Sequence, residues 1–494
     1  MKKMITLLLV AVMLLGIVGC GGEKEKTPEA TQASTNATIP LSSDQLMMGF
    51  AMADITPKES TPLGGFGVST KRWSNEIGYP LKASAMALTG TNGETILVIT
   101  LDLITVRTDW GDNLMLRLTN ATGMDEQHIF VAASHTHCSP DLGIAGQIDA
   151  VARYQTQILE SISQAAVDAL ADRKPCQVSF GEVETENMNH TRHYYNTNPD
   201  GSIVYFGDNY GHEYSADETT KHISEADPTL YVVKFSREGE KDMVLCNFRT
   251  HPSHHGSSSK NITSSDFVGA YREAVQLNLD CDFMYMQGAC GNINYHGKAP
   301  EDIEYSDVGD YGKRLADYTA QALENMKPVE GTDLKTVTTT VEAKVNHSMD
   351  HLFFEAKNIQ AVWNTNRDIN EVIPMCRAYG LSSPFHAGAI VSNYNRGESQ
   401  TFPVSAYALG DNLVFGVWPF EVFDMLAVHV EETAPFDTVL TMGYAYPHQA
   451  YLPNEAAWEY HCYESDTNPY VQGTGEVVRD TVLGLMDQLK TAEE

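Results

Sequence analysis

Thr95-Ile-Leu-Val-Ile-Thr-Leu101 is an apolar run bounded by polar turns, and it precedes a stretch with helical spacing at residues 110–120 and a second run, His128-Ile-Phe-Val-Ala-Ala-Ser134. Both runs are short and rich in β-branched residues, which predicts buried strands. A strand, a helix and a strand in this order indicate a layered α/β fold. The second run leads into Ser134-His135-Thr136-His137, so this unit ends in two potential metal ligands.

The same alternation continues along the chain. Further short apolar runs predict inner strands at residues 230–235, 243–248 and 283–287. Amphipathic stretches predict helices at residues 147–171, 267–278, 309–325, 421–432 and 476–490. The sequence therefore predicts an α/β fold with a layered mixed β-sheet core flanked by helices, in a single large domain with insertions. Two tightly fused halves are the alternative. The chain has neither a linker nor a repeat period that would decide between the two organisations.

Two segments interrupt this pattern. Residues 207–227 contain Gly, Asn, Asp, Tyr and His with little to bury, which predicts a long surface loop at the rim of an active site. Residues 351–396 mix helical spacing with Pro and Gly, and we interpret them as a second insertion that can act as a lid.

The N-terminus has the pattern of an export signal. Lys2 and Lys3 precede an apolar run at residues 5–18 that is too short for an ordinary membrane span. The run ends in Ile17-Val18-Gly19-Cys20, which resembles the lipobox of bacterial lipoproteins, where the cysteine is lipidated after cleavage. A plain signal peptide with an incidental cysteine is the alternative.

These features predict three regions. Residues 1–19 are the lipoprotein signal peptide, residues 20–45 are the lipidated Cys20 with a disordered tether, and residues 46–494 are the catalytic body. The expected location is the extracytoplasmic face of the bacterial cell membrane, with the lipid at Cys20 as anchor.

Composition excludes several functions. The formal net charge of -32 argues against nucleic acid as a partner, since phosphate binding needs clustered Lys and Arg. Solubility outside the cell explains this charge more simply. Apart from Cys20 the cysteines are scattered, with no Cys-x-x-Cys pair, so neither a disulfide framework nor a thiolate zinc site is indicated. We expect most of them to be small buried residues.

Histidines mark the candidate chemistry. In an extended strand, residues two apart face the same side, so His135 and His137 can share a metal or a water. Buried, hydrogen-bonded histidines are the alternative. Thr250-His251-Pro252 follows another predicted strand and adds a third imidazole. The sequence leaves open whether His254 and His255 line a pocket or are exposed.

A set of short motifs follows the order of a known enzyme family. They are Ala53-Asp54-Ile55-Thr56-Pro57, Gly64-Gly65-Phe66-Gly67, Ser134-His135-Thr136-His137, Phe248-Arg249-Thr250-His251-Pro252, Ser265-Asp266-Phe267-Val268-Gly269, Gln287-Gly288-Ala289-Cys290-Gly291-Asn292, Pro419-Phe420-Glu421, and Gly443-Tyr444-Ala445 through Tyr451 with Tyr463-Glu464 beyond. Together they resemble the N-terminal domain of the neutral/alkaline non-lysosomal ceramidase family, zinc-dependent amide hydrolases. The likeness spans residues 49–464.

The resemblance implies a Zn²⁺ ion held by His135, His251, Glu421 and Tyr451. Nitrogen and oxygen ligands suit zinc, and an open position lets the ion activate water. Phenolate is an uncommon ligand, so the assignment of Tyr451 rests most on the family, and a tyrosine packed in a loop is its alternative.

The resemblance also implies three further site residues. His137 orients the water or donates to the developing oxyanion, and Arg192 lies near the scissile carbonyl, although a surface arginine is the alternative. Asn294 stands where the ceramidases carry their proposed nucleophilic serine. An amide cannot act as a nucleophile, so we expect direct attack of zinc-bound water, with Asn294 binding the substrate carbonyl. Another expectation is the absence of the immunoglobulin-like C-terminal domain.

These inferences predict a cell-surface zinc hydrolase that cleaves an amide bond, N-acyl and ceramide-like, in a small-molecule or lipid-like substrate. A lipoprotein that keeps the fold but only binds a ligand is the alternative, favoured by Asn294. Cleavage of an ester is a third hypothesis, because zinc chemistry alone does not determine which acyl bond is cleaved.

Overall fold

The fold contains the strand, helix and strand that the sequence predicts at residues 95–134. The computed structural model describes residues 44–66, 69–208, 215–256, 260–303, 305 and 307–491. Within it Thr95–Leu101 and Ile129–Ala133 are parallel neighbours in a sheet, and the helix Thr108–Thr122 connects them. The signal peptide, Cys20 and nearly all of the tether lie outside the described residues, so those assignments stay predictions.

Strands and helices are numbered here in chain order. The strands are β1 Met47–Asp54, β2 Glu76–Ile77, β3 Lys82–Thr89, β4 Thr95–Leu101, β5 Ile129–Ala133, β6 Lys174–Glu184, β7 His190–Thr191, β8 His193–Thr197, β9 Ile203–Gly207, β10 Lys221–His222, β11 Thr229–Arg237, β12 Met243–Phe248, β13 Ile262–Thr263, β14 Asp282–Gln287, β15 Ile293–Asn294, β16 Lys327–Pro328, β17 Leu334–Lys344, β18 Ser399–Leu409, β19 Leu413–Val417, β20 Glu421–Val422, β21 Thr438–Met442 and β22 Tyr451–Leu452. The helices are α1 Thr108–Thr122, α2 Asp149–Ala171, α3 Phe267–Leu279, α4 Val308–Leu323, α5 Phe353–Asn366, α6 Ile369–Ala378, α7 Pro384–Tyr394, α8 Asp424–Thr433, α9 Tyr463–Asp466 and α10 Thr474–Thr491.

Two sheets form the core. The larger has the order β14-β12-β11-β6-β1-β3-β4-β5, with β16 also paired to β6, and the smaller has the order β17-β18-β19-β21. Their facing side chains form one buried apolar cluster, in which Phe130 of β5 stacks on Tyr407 of β18 with ring centres 4.9 Å apart. Helices α1 and α2 cover one half of the large sheet, α3 and α4 the other half, and α8 and α10 the outer face of the small sheet.

One arrangement of strands occurs three times. In β3-β4-α1-β5, β11-β12-α3-β14 and β18-β19-α8-β21, an antiparallel hairpin is followed by a helix and by a strand parallel to the second strand of the hairpin. Main-chain hydrogen bonds join the carboxyl ends of these units, from Ala133 N to Tyr444 O at 3.2 Å and from Gly443 N to Gln287 O at 3.0 Å. The three carboxyl ends, where α/β sheets bind ligands, therefore meet in one region.

The predicted fold class is confirmed, with two differences of detail. β5 and β14 stand at the two ends of the hydrogen-bonded order of the large sheet. They are nevertheless buried, as expected for inner strands, because the small sheet covers them. The helix predicted at residues 421–432 begins only at Asp424. Glu421–Val422 is a strand instead, since β20 pairs with β22. Tertiary pairing here overrides the helical spacing.

The two irregular segments contain regular structure. In residues 207–227 the strand β10 pairs with β8, so part of this predicted loop is a sheet edge. Residues 353–394 form α5, α6 and α7 around an apolar cluster of their own, and their role as a lid stays a prediction. All seven cysteines after Cys20 are free, and all but Cys176 are buried. None of the described helices is long and apolar enough to cross a bilayer.

Candidate metal centre

His135 and His137 lie just beyond the carboxyl end of β5. The chain leaves the strand at His135, whose φ of 67° is in the left-handed region. The main-chain N–H of His135 donates to Leu103 O at 2.9 Å, which holds this turn against the end of β4. The expectation that an extended strand aligns the two imidazoles is therefore wrong in its geometry. A turn brings them together instead, with their Nε2 atoms 3.2 Å apart.

His251 follows β12 and reaches the same region from the second unit. Its ring centre is 4.9 Å from that of His135. Both rings are held through Nδ1, which donates to Ile104 O in His135 and to Ile293 O in His251, each at 2.8 Å. Because a carbonyl oxygen only accepts, Nδ1 carries the proton and Nε2 of the neutral ring presents a lone pair. This is the orientation that second partners give to histidine ligands of metals.

Glu421 adds a carboxylate from the third unit. Its Oε2 is 3.3 Å from His135 Nε2 and 3.7 Å from His251 Nε2. Two ligand atoms of a tetrahedral zinc lie roughly 3.3 Å apart, because each bond is about 2.0–2.1 Å long. The spacing of the three side chains therefore fits one ion. Gly291 permits this approach, since a Cβ there would lie 2.4 Å from the carbonyl oxygen of Glu421.

Tyr451 stands beside Glu421 because the parallel pair β20 and β22 places these two residues opposite each other. The guanidinium carbon of Arg192 lies 5.5 Å from the centre of its ring. Burial and then the charge of Glu421 raise the pKa of Tyr451 well above its ordinary value. Binding as a phenolate therefore requires a proton to leave, which the charge of Arg192 favours.

Arg192 is buried, with 5% of the residue exposed, so the surface alternative is wrong. Its Nη2 donates to Glu464 Oε1 at 2.5 Å and to Gly291 O at 2.7 Å. Glu464 is itself buried and accepts a second hydrogen bond from His193 Nε2 at 2.9 Å. These contacts fix the guanidinium with Nη1 at 3.4 Å from His251 Nε2. A rigid positive charge thus lies next to the candidate ligands.

His137 is the half-buried member of the histidine cluster. Burial, and then the neighbouring imidazoles of His135 and His251, lower its pKa well below the ordinary value, so the ring is neutral near pH 7. One nitrogen from each of these three histidines lies within 4.8 Å of the others, so His137 borders the same point. Gly65 packs against it with a φ of 97°, and a Cβ there would lie 2.6 Å from His137 Cβ.

Asn294 is linked to the site through its backbone. It lies in β15, which pairs with β7 immediately before Arg192. Its side-chain Nδ2 donates to Asp208 Oδ2 at 2.7 Å. One of the two amide hydrogens is therefore held by a carboxylate, and the other can bind a substrate.

His254 and His255 belong to a different environment. His254 Nδ1 is 3.2 Å from Asp266 Oδ1, and His255 Nδ1 is 2.9 Å from Ser264 Oγ. Asp266 also accepts from the main-chain N–H of Phe267 at the start of α3. The sequence left open whether these two histidines line a pocket or are exposed. In the structure both support the cap at the start of α3.

Sequence reasoning missed two residues that contact Glu421. The Tyr444 hydroxyl is 3.4 Å from Glu421 Oε2, and its ring stacks on His135 with centres 4.2 Å apart. The side chain of His448 is 7% exposed and places Nε2 at 3.9 Å from Glu421 Oε1. Tyr444 lies within a motif already singled out, which is a signal that could have found it. His448 lies in no such motif, and its position depends on the turn after β21.

The charges of the centre favour a bound cation. Burial alone raises the pKa of Glu421, but the neighbouring imidazoles of His135, His251 and His448 outweigh burial and hold the pKa well below its ordinary value, so the carboxylate is ionised. Burial, followed by the charge of Arg192, lowers the pKa of His251 to about 4. Burial also lowers the pKa of His448 to about 4. Neutral imidazoles around an ionised carboxylate are the donor set that Zn²⁺ binds.

Removal of the Tyr444 hydroxyl is expected to lower the affinity of this centre for zinc. In Tyr444→Phe, Glu421 loses a neighbour that orients it, and such losses typically lower metal affinity by about 10–100-fold. We expect about 10-fold, because the contact is long. Competition with a zinc chelator measures the change. Tyr407→Phe is the control, since its buried hydroxyl has no hydrogen-bond partner among the described residues, and equal affinities of the two variants would contradict the prediction.

Comparisons with known proteins identify the fold. No family model matches the sequence, and a search of curated proteins gave no significant match. The structure is similar to the crystal structure of neutral ceramidase from Pseudomonas aeruginosa, with a TM-score of 0.66 and 16% sequence identity over 91% of this chain and 75% of that chain. A ceramidase complexed with C2 gives a TM-score of 0.65 and 16% identity over 91% and 76% of the two chains. The described residues therefore have the neutral ceramidase fold.

Proposed function

We propose that the chain is a surface-anchored, zinc-dependent hydrolase of an amide bond, N-acyl and ceramide-like. The observation that carries this proposal is the convergence of His135, His251 and Glu421 at the spacing of zinc ligands. Each comes from a different hairpin and helix unit, so the fold itself brings them together. The neutral ceramidase fold supports an amide as the bond that is cleaved.

The proposed zinc ligands are His135, His251, Glu421 and Tyr451. Zn²⁺ in such a site supplies an activated water, because it lowers the pKa of the water to about 7. His137 is neutral and borders the ligands, so it can take a proton from the water and return it to the leaving amine.

Charge develops on the substrate carbonyl oxygen during attack. Arg192 is held rigidly by Glu464, and a fixed, water-excluded cation stabilises such an oxyanion. Asn294 adds an amide donor in place of a nucleophile. Hydrolysis therefore proceeds without an acyl-enzyme at this position.

The exposure of the residues indicates the side from which substrate enters. His135, His251 and Glu421 are buried, whereas His137 and Tyr451 are half-buried. Substrate thus approaches along His137 and Tyr451. With Cys20 lipidated, the site works at the extracytoplasmic face of the membrane, where a small-molecule or lipid-like amide is the substrate.

A substrate panel tests the proposal. Purified protein loaded with zinc is offered N-acyl amides, including ceramides, and the matched esters. We expect zinc-dependent release of fatty acid from the amides, and loss of that release in Glu421→Ala. Glu182→Ala, an exposed position on β6, is the matched control and keeps full activity.

The alternative of a binding lipoprotein has one specific observation in its favour, which is the amide at Asn294. It predicts that wild-type protein binds these compounds with no metal-dependent turnover of any of them. That result would overturn the proposed hydrolase. Faster turnover of esters than amides would keep the hydrolase and overturn the amide as its substrate bond.

A further inference from the structure

A second cluster of metal-binding side chains lies outside the proposed centre. It consists of His190 in β7, His222 in β10 and Asp302. His222 Nε2 is 2.8 Å from Asp302 Oδ2, and His190 Nδ1 is 3.3 Å from Asp302 Oδ1. One potential ligand atom of each residue lies within 4.8 Å of the other two. The imidazoles are stacked at 11° with centres 5.5 Å apart, so both rings face the carboxylate side by side.

His222 is oriented in the same way as the two histidines of the first centre. Its Nδ1 is 2.7 Å from Thr191 O. A carbonyl oxygen only accepts, so Nδ1 carries a proton, and Nε2 either carries a second proton or directs a lone pair at the Asp302 carboxylate. Two lone pairs at 2.8 Å repel unless a cation or a second proton lies between them. His135 and His251 show the same use of Nδ1.

One nitrogen of this mostly buried cluster has no hydrogen-bond partner among the described residues. The side chains of His190 and Asp302 are 8% and 7% exposed, so little water reaches them. His190 Nε2 has no hydrogen-bond partner among the described residues. Asp302 Oδ2 accepts from Ala299 N at 2.8 Å. A buried carboxylate is costly without a counter-charge.

We propose that His190, His222 and Asp302 bind a second divalent cation, a Zn²⁺ ion held by two imidazoles and one carboxylate. Two nitrogens and one oxygen are a donor set that zinc accepts, with a water in the fourth position. The 3.3 Å between His190 Nδ1 and Asp302 Oδ1 is the separation of neighbouring zinc ligands, whereas the 2.8 Å contact of His222 has the length of a hydrogen bond and has to open for an ion to enter.

The position of this site gives it a structural role. β7 pairs with β15, with His190 opposite Asn294 and Thr191 opposite Ile293. A cation on His190 and His222 joins this ladder to β10 and so stiffens β7, which ends immediately before Arg192. Metal binding here therefore supports the positioning of Arg192 without contact with the substrate.

Zinc counting in purified protein tests this site. After free metal is removed, we expect about two zinc ions per chain in the wild type and about one in Asp302→Asn, which keeps the shape of the side chain and removes its charge. The His135→Ala/His251→Ala variant also retains about one, and the combination of all three substitutions retains none. His347→Gln is the control, because it removes another histidine that contacts an aspartate, at 2.9 Å from Asp350.

A second measurement covers variants that fold poorly. Zinc that binds only the native state raises the melting temperature. In the His135→Ala/His251→Ala background we expect added Zn²⁺ to raise Tm by several degrees, and we expect Asp302→Asn to remove that rise. One zinc per chain in the wild type, or an unchanged count in Asp302→Asn, would overturn the second site. A loss of one ion in Asp302→Asn but none in His135→Ala/His251→Ala would support the second site and contradict the first centre.

Discussion

His135→Ala is expected to remove zinc from the first centre and to abolish hydrolysis. The substitution takes away a ligand whose Nε2 lies 3.3 Å from Glu421 Oε2, and it leaves a buried carboxylate with fewer partners. We expect kcat/KM to fall by at least about 10³-fold, which corresponds to about 4 kcal/mol of transition-state stabilisation. Zinc content and amide hydrolysis are measured on the same preparation.

The control for this variant flanks the opposite end of the same strand, β5. His128→Ala changes a half-buried histidine just before β5, where Nε2 is 3.2 Å from Glu94 Oε2. We expect it to keep zinc and activity. Circular dichroism and Tm separate loss of metal from loss of fold. A folded His135→Ala protein with wild-type turnover would contradict the assignment of this ligand.

Arg192→Lys is expected to lower kcat by about 10²–10³-fold while zinc stays bound. Lysine keeps a positive charge but loses the planar guanidinium that reaches Glu464 and Gly291 together and lies over the ring of Tyr451. Because the stabilised charge develops only in the transition state, kcat falls more than KM rises. Steady-state kinetics at fixed zinc measures this split.

Arg237→Lys is the matched control, since Arg237 is also buried and bridges two carboxylates, Asp172 at 2.6 Å and Asp282 at 2.7 Å. It lies at the far end of β11, so we expect a similar loss of Tm with kcat unchanged. Equal values of kcat in the two variants would show that Arg192 has only a structural role.

Much of the framework could be predicted from local pattern. β4 and β12 have the bounds that their apolar runs indicate, and α1 to α4 lie where helical spacing places them, because each element is long enough to show its period. The threefold use of one hairpin and helix unit was not visible, because its copies share topology and no sequence repeat. β20 was assigned to a helix for a related reason, since its partner β22 lies 30 residues away.

The candidate site likewise contains residues that the sequence predicts and contacts that only the fold reveals. His135, His251 and Glu421 follow apolar strands, which is a pattern that sequence shows. Arg192 and the neighbouring His193 both contact Glu464, and His193 is 271 positions away from it along the chain. Only the fold brings these residues together. The cluster of His190, His222 and Asp302 likewise comes from three separate segments, so no spacing along the chain indicates it.

Anomalous diffraction at the zinc edge, from crystals of the zinc-loaded protein, tests the central claim most directly. We predict a peak about 2.0–2.2 Å from His135 Nε2, His251 Nε2, a carboxylate oxygen of Glu421 and the Tyr451 hydroxyl, with His137 outside bonding distance. A bond from His137 with none from Tyr451 would exchange these two roles. A map with no peak between His135, His251 and Glu421 would contradict the account.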